Sequence, residues 1–287
     1  NRSIYIAPLI VAAIILFGSF VGAFHLAGRR RNALLLDPAH RRAAIEMPYN
    51  IAAMMLIFTA FLVGVFYCLD AQQGERRDRS ILFWKSLPVS DRDTVISKSL
   101  TALFVGPLIA IAFALALSLL VLFSLMVLAA FQGLNLFGLV LGDKNFYLVF
   151  LQILSFIPIY VLWALPTVGY LLFVSSWAKT KPFLWAVGVP VVGGVILTWV
   201  NALTGSPFVL ESYWKVIVAR GLGSVFPGSW LGQVSESNAN INPDNAVSML
   251  IANTYSLLGT ANLWIGVAIG LAFLFGAVKM RRYRDDG

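Results

Sequence analysis

At 287 residues, 59% hydrophobic and only 12% charged, with a mean hydropathy of +0.83, the chain carries too much apolar surface to fold in water and belongs in a bilayer. The net charge of +8 does not mark a nucleic-acid binder, because the Lys and Arg residues gather in loops flanking apolar runs rather than along one polar face. The single cysteine, Cys68, excludes an internal disulfide.

Crossing a hydrocarbon core of about 30 Å takes about 20 apolar residues. Runs of that kind predict an all-α polytopic protein with six spans, at about 4–27, 51–69, 100–131, 146–178, 183–203 and 259–278. The chain opens at Asn1 rather than Met, so an upstream segment is expected. The first run is too long for a cleavable signal peptide, whose apolar part is about 7 to 15 residues, and it closes on Gly28, Arg29, Arg30 and Arg31. A polar loop at 29–50 then carries the turn signals Asp37-Pro38 and Met47-Pro48.

After the second span, which ends at Asp70, residues 75–98 hold ten charges in 24 positions. Six of the ten are basic, which places the loop in the cytoplasm. Beyond Gly74, residues 75–86 read as a short helix with Glu75 and Arg79 paired at i,i+4 and Pro88 as its terminator. Ser90 with Asp93 makes a capping-box pattern that opens a second helix, leading through Lys98 into the third span.

The third run, 100–131, is about 48 Å long as a helix, so tilt or protrusion is expected. Pro158 and Pro166 predict kinks in the fourth. A basic hinge, Lys179-Thr180-Lys181-Pro182, leads to the fifth. Residues 204–258 form an extracytoplasmic segment whose 207–226 portion, with Phe208, Tyr213, Trp214 and Phe226, suits an interfacial or re-entrant helix. Asp244 or Asn245 is placed to cap a helix running through Met249 and Tyr255 into the last span. Lys279, Arg281, Arg282 and Arg284 then stop transfer. With both termini cytoplasmic, 13 basic residues lie inside and 8 outside, the expected bias. No internal repeat is present, so 1–287 is read as one membrane domain.

All 13 Asp and Glu residues lie outside the six runs, which argues against a proton- or sodium-coupled carrier. There is no His-Glu-x-x-His, no pair of carboxylates within a span and no Ser with a nearby base. His25, His40 and Cys68 have no metal-site spacing. Neither an enzyme activity nor a bound cofactor or metal is expected of this chain. Gly22, Gly28 and other small residues read as helix-packing positions. The 75–98 loop serves at the least to set topology.

The order Glu75, then Ser80-Ile81-Leu82-Phe83-Trp84-Lys85-Ser86-Leu87-Pro88-Val89-Ser90, then Lys98, resembles the loop after the second span in the permeases of type-2 (ABC-2) ABC exporters. The six-span layout and the extended segment before the last span are also similar. The resemblance implies the transmembrane subunit of an ATP-driven exporter. Its ATPase, with ATP and Mg, would be a separate cytosolic chain, since no Gly-x-x-x-x-Gly-Lys-Ser/Thr loop occurs here. It implies further that the loop is a coupling helix seated in a groove of that ATPase. Glu75, Arg76 and Arg79 would make polar contacts, Ile81, Leu82, Phe83 and Trp84 the docking face, Pro88 the helix end, and Lys98 would lie near the membrane boundary. Arg76-Arg77-Asp78 departs from a tract that often contains Gly in the family, and Trp84-Lys85 is bulkier than usual.

By the same resemblance the chain pairs with a second copy or close homologue in a bacterial cytoplasmic membrane. A substrate route between the second and fifth spans is then assigned to Thr59, Phe66, Thr198 and Asn201. A different function class is a membrane scaffold or sensor that recruits a cytosolic partner through 75–98 and transports nothing.

Overall fold

Long uncharged segments in a bilayer have one economical way to satisfy their backbone amides, the helix, and the described long apolar segments take it. The computed structural model describes residues 3–25, 38–78, 80, 89–131, 137–138, 151–204, 208–231 and 246–283, and among the described residues there is no strand. In chain order the helices are α1 (Ser3–His25), α2 (Pro38–Arg77), α3 (Asp91–Phe131), α4 (Ile157–Trp177) and α5 (Leu184–Thr204). They are followed by α6 (Phe208–Ser212, prolonged by Tyr213–Arg220 and Gly221–Gly223), α7 (Ala246–Ser256) and α8 (Ala261–Tyr283). Five stretches are long and apolar enough to cross a membrane: Met47–Arg77 within α2, and α3, α4, α5 and α8. In α1 the apolar stretch is the shorter Tyr5–Val21. The protein is an integral, all-helical membrane protein.

Several boundaries differ from those read off the sequence. The loop expected at 29–50 is helical from Pro38 onward, because a proline at the first helical position gives up an N–H that would have had no partner. Pro48 lies inside α2 without ending it. At the other end α2 runs past Asp70 and Gly74 to Arg77, so no separate helix starts at Glu75. Gly74 packs tightly in that turn, since a Cβ there would stand 2.9 Å from Asp70 Oδ1. Residues 151–155 are also helical, and the run breaks at Phe156, the capping residue of α4, with Pro158 in the first turn beyond the break. Pro166 is inside α4. Nor does α7 run on into the last span: after a tight turn at Leu257–Gly259, Thr260 is extended and its N–H donates to the Leu257 carbonyl at 2.9 Å. The caps proposed at Asp244 or Asn245 lie outside the described residues, as do 146–150 of the expected fourth span.

Other features appear as expected. Ser90 is the N-cap of α3: its Oγ accepts from the Asp93 N–H at 3.1 Å and donates to Asp93 Oδ2 at 2.7 Å. The helix it opens continues through Lys98 and a widened π-helical turn, Thr101–Val105, into the apolar stretch. The basic hinge between α4 and α5 turns on Lys181, whose φ of 48° lies in the left-handed region uncommon for any residue but glycine.

The chain packs as two compact units. One comprises 1–63 and 106–155, with a core of Ala52 and Leu56 from α2 against Ala114, Leu117 and Val121 from α3, flanked by Ala12, Ile15 and Leu16 of α1. The other comprises 64–105 and 156–287 and is centred on α4, the most buried of the long helices. Small residues let α8 approach α4 closely: a Cβ on Gly169 would stand 2.6 Å from the Gly270 carbonyl oxygen, and one on Gly270 would stand 2.8 Å from backbone atoms of Leu165 and Pro166. Aromatic rings close the same seam, with Phe273 5.4 Å from Tyr170 and 5.8 Å from Phe173 between centroids. Along α5 the rings of α6 lie on Gly193 and Gly194; Tyr213 Oη donates to the Pro190 carbonyl at 2.7 Å and Trp214 Nε1 to Thr198 Oγ1 at 3.2 Å. The exposed Val192, Val195, Ile196 and Trp199 of α5 suit hydrocarbon surroundings.

Candidate functional site

The charges that bracket residues 78–90 come together within the second unit. They lie in the last turns of α2, the first turns of α3 and the last turn of α8. Glu75 stands at the centre, with Oε1 2.6 Å from Lys98 Nζ and Oε2 2.6 Å from Arg281 Nη1. Arg281 Nε reaches Asp91 Oδ1 at 3.1 Å, and Lys98 also donates to the Ala71 carbonyl. Two carboxylates and two cations make the cluster neutral, which permits its burial. The Arg281 side chain is only 2% exposed, Lys98 12% and Glu75 17%. In surroundings of low dielectric each member is held by its partners, and removing one leaves an uncompensated charge behind.

Beside it, α2 and α4 are joined by polar contacts. Arg76 donates from Nη2 to the carbonyls of Ser175 at 2.5 Å and Ala178 at 2.9 Å, and from Nη1 to the Ser176 carbonyl. These are C-terminal carbonyls of α4, which have no partner within their own helix and carry the negative end of its dipole. A planar guanidinium with several donors is matched to them. Ser175 in turn inserts its hydroxyl into the backbone ladder of α2, donating to the Leu69 carbonyl at 2.6 Å and accepting from the N–H groups of Gln72 and Gln73 at 3.1 and 3.2 Å. Arg76→Ala is expected to lower stability by about 1 to 3 kcal/mol by leaving those carbonyls unpaired. Arg76→Lys should recover only part, because a point charge cannot span three acceptors. Thermal unfolding of the two variants in detergent checks this.

Of the residues singled out in the sequence, Glu75 and Lys98 are direct partners. Glu75 and Arg76, which the resemblance assigned to an outside partner, are engaged within the chain. Arg79, Ile81, Leu82, Phe83, Trp84 and Pro88 lie outside the described residues. Thr59 belongs to the first unit and donates to the Met55 carbonyl at 2.9 Å in its own helix. The others belong to the second. Phe66 stacks on Phe183 at 5.9 Å, Thr198 bridges Trp214 and the Gly194 carbonyl, and Asn201 has a buried Oδ1 without a partner among the described residues. Sequence reasoning missed Arg281, read only as a stop-transfer charge, together with Asp91 and Ser175. A basic residue near a chain end carries no local sign of an acid 206 positions away.

Fold and site thus define a class: an integral helical membrane protein in which the two helices flanking residues 78–90 are fastened to two further helices by buried ionic and polar contacts. The chain matches no family model, no curated protein and no solved structure.

Proposed function

We propose that the chain is the permease subunit of an ATP-driven exporter of the ABC-2 type, a six-span subunit with both termini in the cytoplasm of a bacterial inner membrane. It pairs with a second copy or close homologue. Separate cytosolic ATPases dock on the 78–90 loop, and their ATP-driven movement is delivered to the membrane helices through the loop stems. A substrate route past Phe66, Thr198 and Asn201, with Thr59, belongs to the same reading. The observation that supports it best is the attachment of the stems. Glu75 before the loop and Asp91 after it both bind Arg281 of α8, while Arg76 binds the end of α4. A force on the loop therefore meets four helices at once instead of a flexible tether.

The test is purification of the full chain with its ATPase and measurement of ATP hydrolysis. Leu82→Ser combined with Trp84→Ser, which alters the docking face and none of the buried charges, is expected to lose the ATPase from the complex. Glu75→Gln is expected to retain the ATPase but lower the stimulation of hydrolysis by at least about tenfold. Normal assembly and normal hydrolysis after both changes would overturn the assignment. Recovery of a different, non-hydrolysing cytosolic protein on the same loop would favour the scaffold reading.

A further inference from the structure

At the end of α8 opposite the ion cluster, a guanidinium is held in place with no carboxylate beside it among the described residues. Arg220 closes the π-helical stretch Tyr213–Arg220 and lies over the Trp163 ring of α4, 4.0 Å from its centroid. Its Nη2 donates to the Asn262 carbonyl of α8 at 2.7 Å. Gly266, one turn further along α8, makes the room, since a Cβ there would stand 2.5 Å from Nη2. The backbone that carries Arg220 is itself pinned. Thr167 Oγ1 of α4 donates to the Gly221 carbonyl at 2.8 Å, and the Ser224 hydroxyl donates to the carbonyl of Arg220.

The charge, however, is left open. Nη1 is buried and has no hydrogen-bond partner among the described residues. Burial pulls the pKa of Arg220 below its ordinary value. The Trp163 face and one carbonyl recover part of the cost of desolvation, but a guanidinium offers five donors and a full charge. The ring, the Gly266 gap and the Asn262 carbonyl orient it from three sides, so the seat is built rather than incidental. Trp264, exposed on α8 between Asn262 and Gly266 with its indole N–H on the Leu258 carbonyl at 2.8 Å, is the type of residue that marks the headgroup level.

We propose that Arg220 is the receptor for an oxyanion, the phosphate or carboxylate of an amphiphile's headgroup, which completes the charge that the chain leaves open. The planar fork suits the paired oxygens of either group. The inference stands apart from the exporter reading. The same oxyanion could come from a bilayer lipid or from a soluble anion, and two titrations separate these sources.

The full chain is placed in phosphatidylcholine nanodiscs and its thermal unfolding followed by tryptophan fluorescence. Phosphatidylglycerol is raised in one series and sodium phosphate in the other, at constant ionic strength. Stabilisation of the wild type is expected to saturate with phosphatidylglycerol. Arg220→Gln should raise the amount needed about tenfold and Arg220→Lys by less. Gly266→Ala displaces the guanidinium without changing the charge and should behave like Arg220→Gln, and it decides the matter if that variant does not fold. Arg282→Gln, exposed at the far end of α8, should follow the wild type. Saturation with inorganic phosphate instead, lost in the same variants, assigns the receptor to a soluble anion. A wild type that responds to neither titration, or variants that respond as the wild type does, would overturn the proposal.

Discussion

Arg281→Gln is expected to be the most damaging single charge change in the protein, lowering stability by about 3 to 5 kcal/mol. The variant leaves Glu75 with one cation instead of two and Asp91 with none, in a place where the removed side chain was almost fully buried. Water cannot readily make good the loss. Arg282→Gln, one residue on and exposed, should stay within about 0.5 kcal/mol of the wild type. Adding Glu75→Gln to Arg281→Gln removes one carboxylate and leaves Lys98 and Asp91 to balance each other. The double variant should therefore lose clearly less than the sum of the single losses, as is usual for members of one network. Thermal unfolding of the wild type, the three single variants and the double variant in one detergent provides the comparison. Equal unfolding temperatures for Arg281→Gln and Arg282→Gln would dispose of the buried cluster as a stabilising element.

Alanine at Gly270 or at Gly169 should act in the opposite sense from alanine at most helical glycines. In a helix interior Gly→Ala ordinarily stabilises by up to about 1 kcal/mol. Gly18 and Gly64 have nothing within 4 Å of the added carbon and should show that gain. At Gly270 the new methyl would stand 2.8 Å from backbone atoms of Leu165 and Pro166, and at Gly169 2.6 Å from a backbone carbonyl oxygen. Backbone atoms cannot swing aside as a side-chain tip does, so α4 and α8 must separate. The cost is about 3 kcal/mol, at the upper end of what overpacking imposes. The two substitutions strain one contact, so the double variant should lose less than the sum. Unfolding temperatures of Gly270→Ala and Gly64→Ala that move together would show that the seam is not close-packed.

What could be read from the sequence was what local chemistry decides. The uncharged runs identified the long helices, and Ser90 with Asp93 identified the start of α3, because a cap needs only three neighbouring residues to form. The prolines were an uneven guide. Pro48 carries a turn signal by type, yet membrane helices accept a proline where neighbouring groups take up the freed carbonyl. Pro158 did mark an interruption, since the helical run breaks at Phe156 just before it, but the residue type alone did not place the break. Small residues in the spans were recognised as packing positions, but not that Gly169 and Gly270 face each other. The ionic site was half visible. Glu75 and Lys98 stood out as members of a charged loop, whereas Arg281 completes their cluster across the whole length of the chain. Arg220 and Trp163 belong to stretches whose meeting depends on how α6 folds back.

The contact of Gly169 with Gly270 has one more consequence. With no side chain between the two backbones there is no cushion to deform, so α4 and α8 cannot slide past each other by small steps and move as a single strut. The Gly266 seat of Arg220 and the guanidinium of Arg281 are carried on that strut, roughly 22 Å apart along the axis of α8. Their separation is a fixed length of the molecule, whatever movement the rest of the chain undergoes.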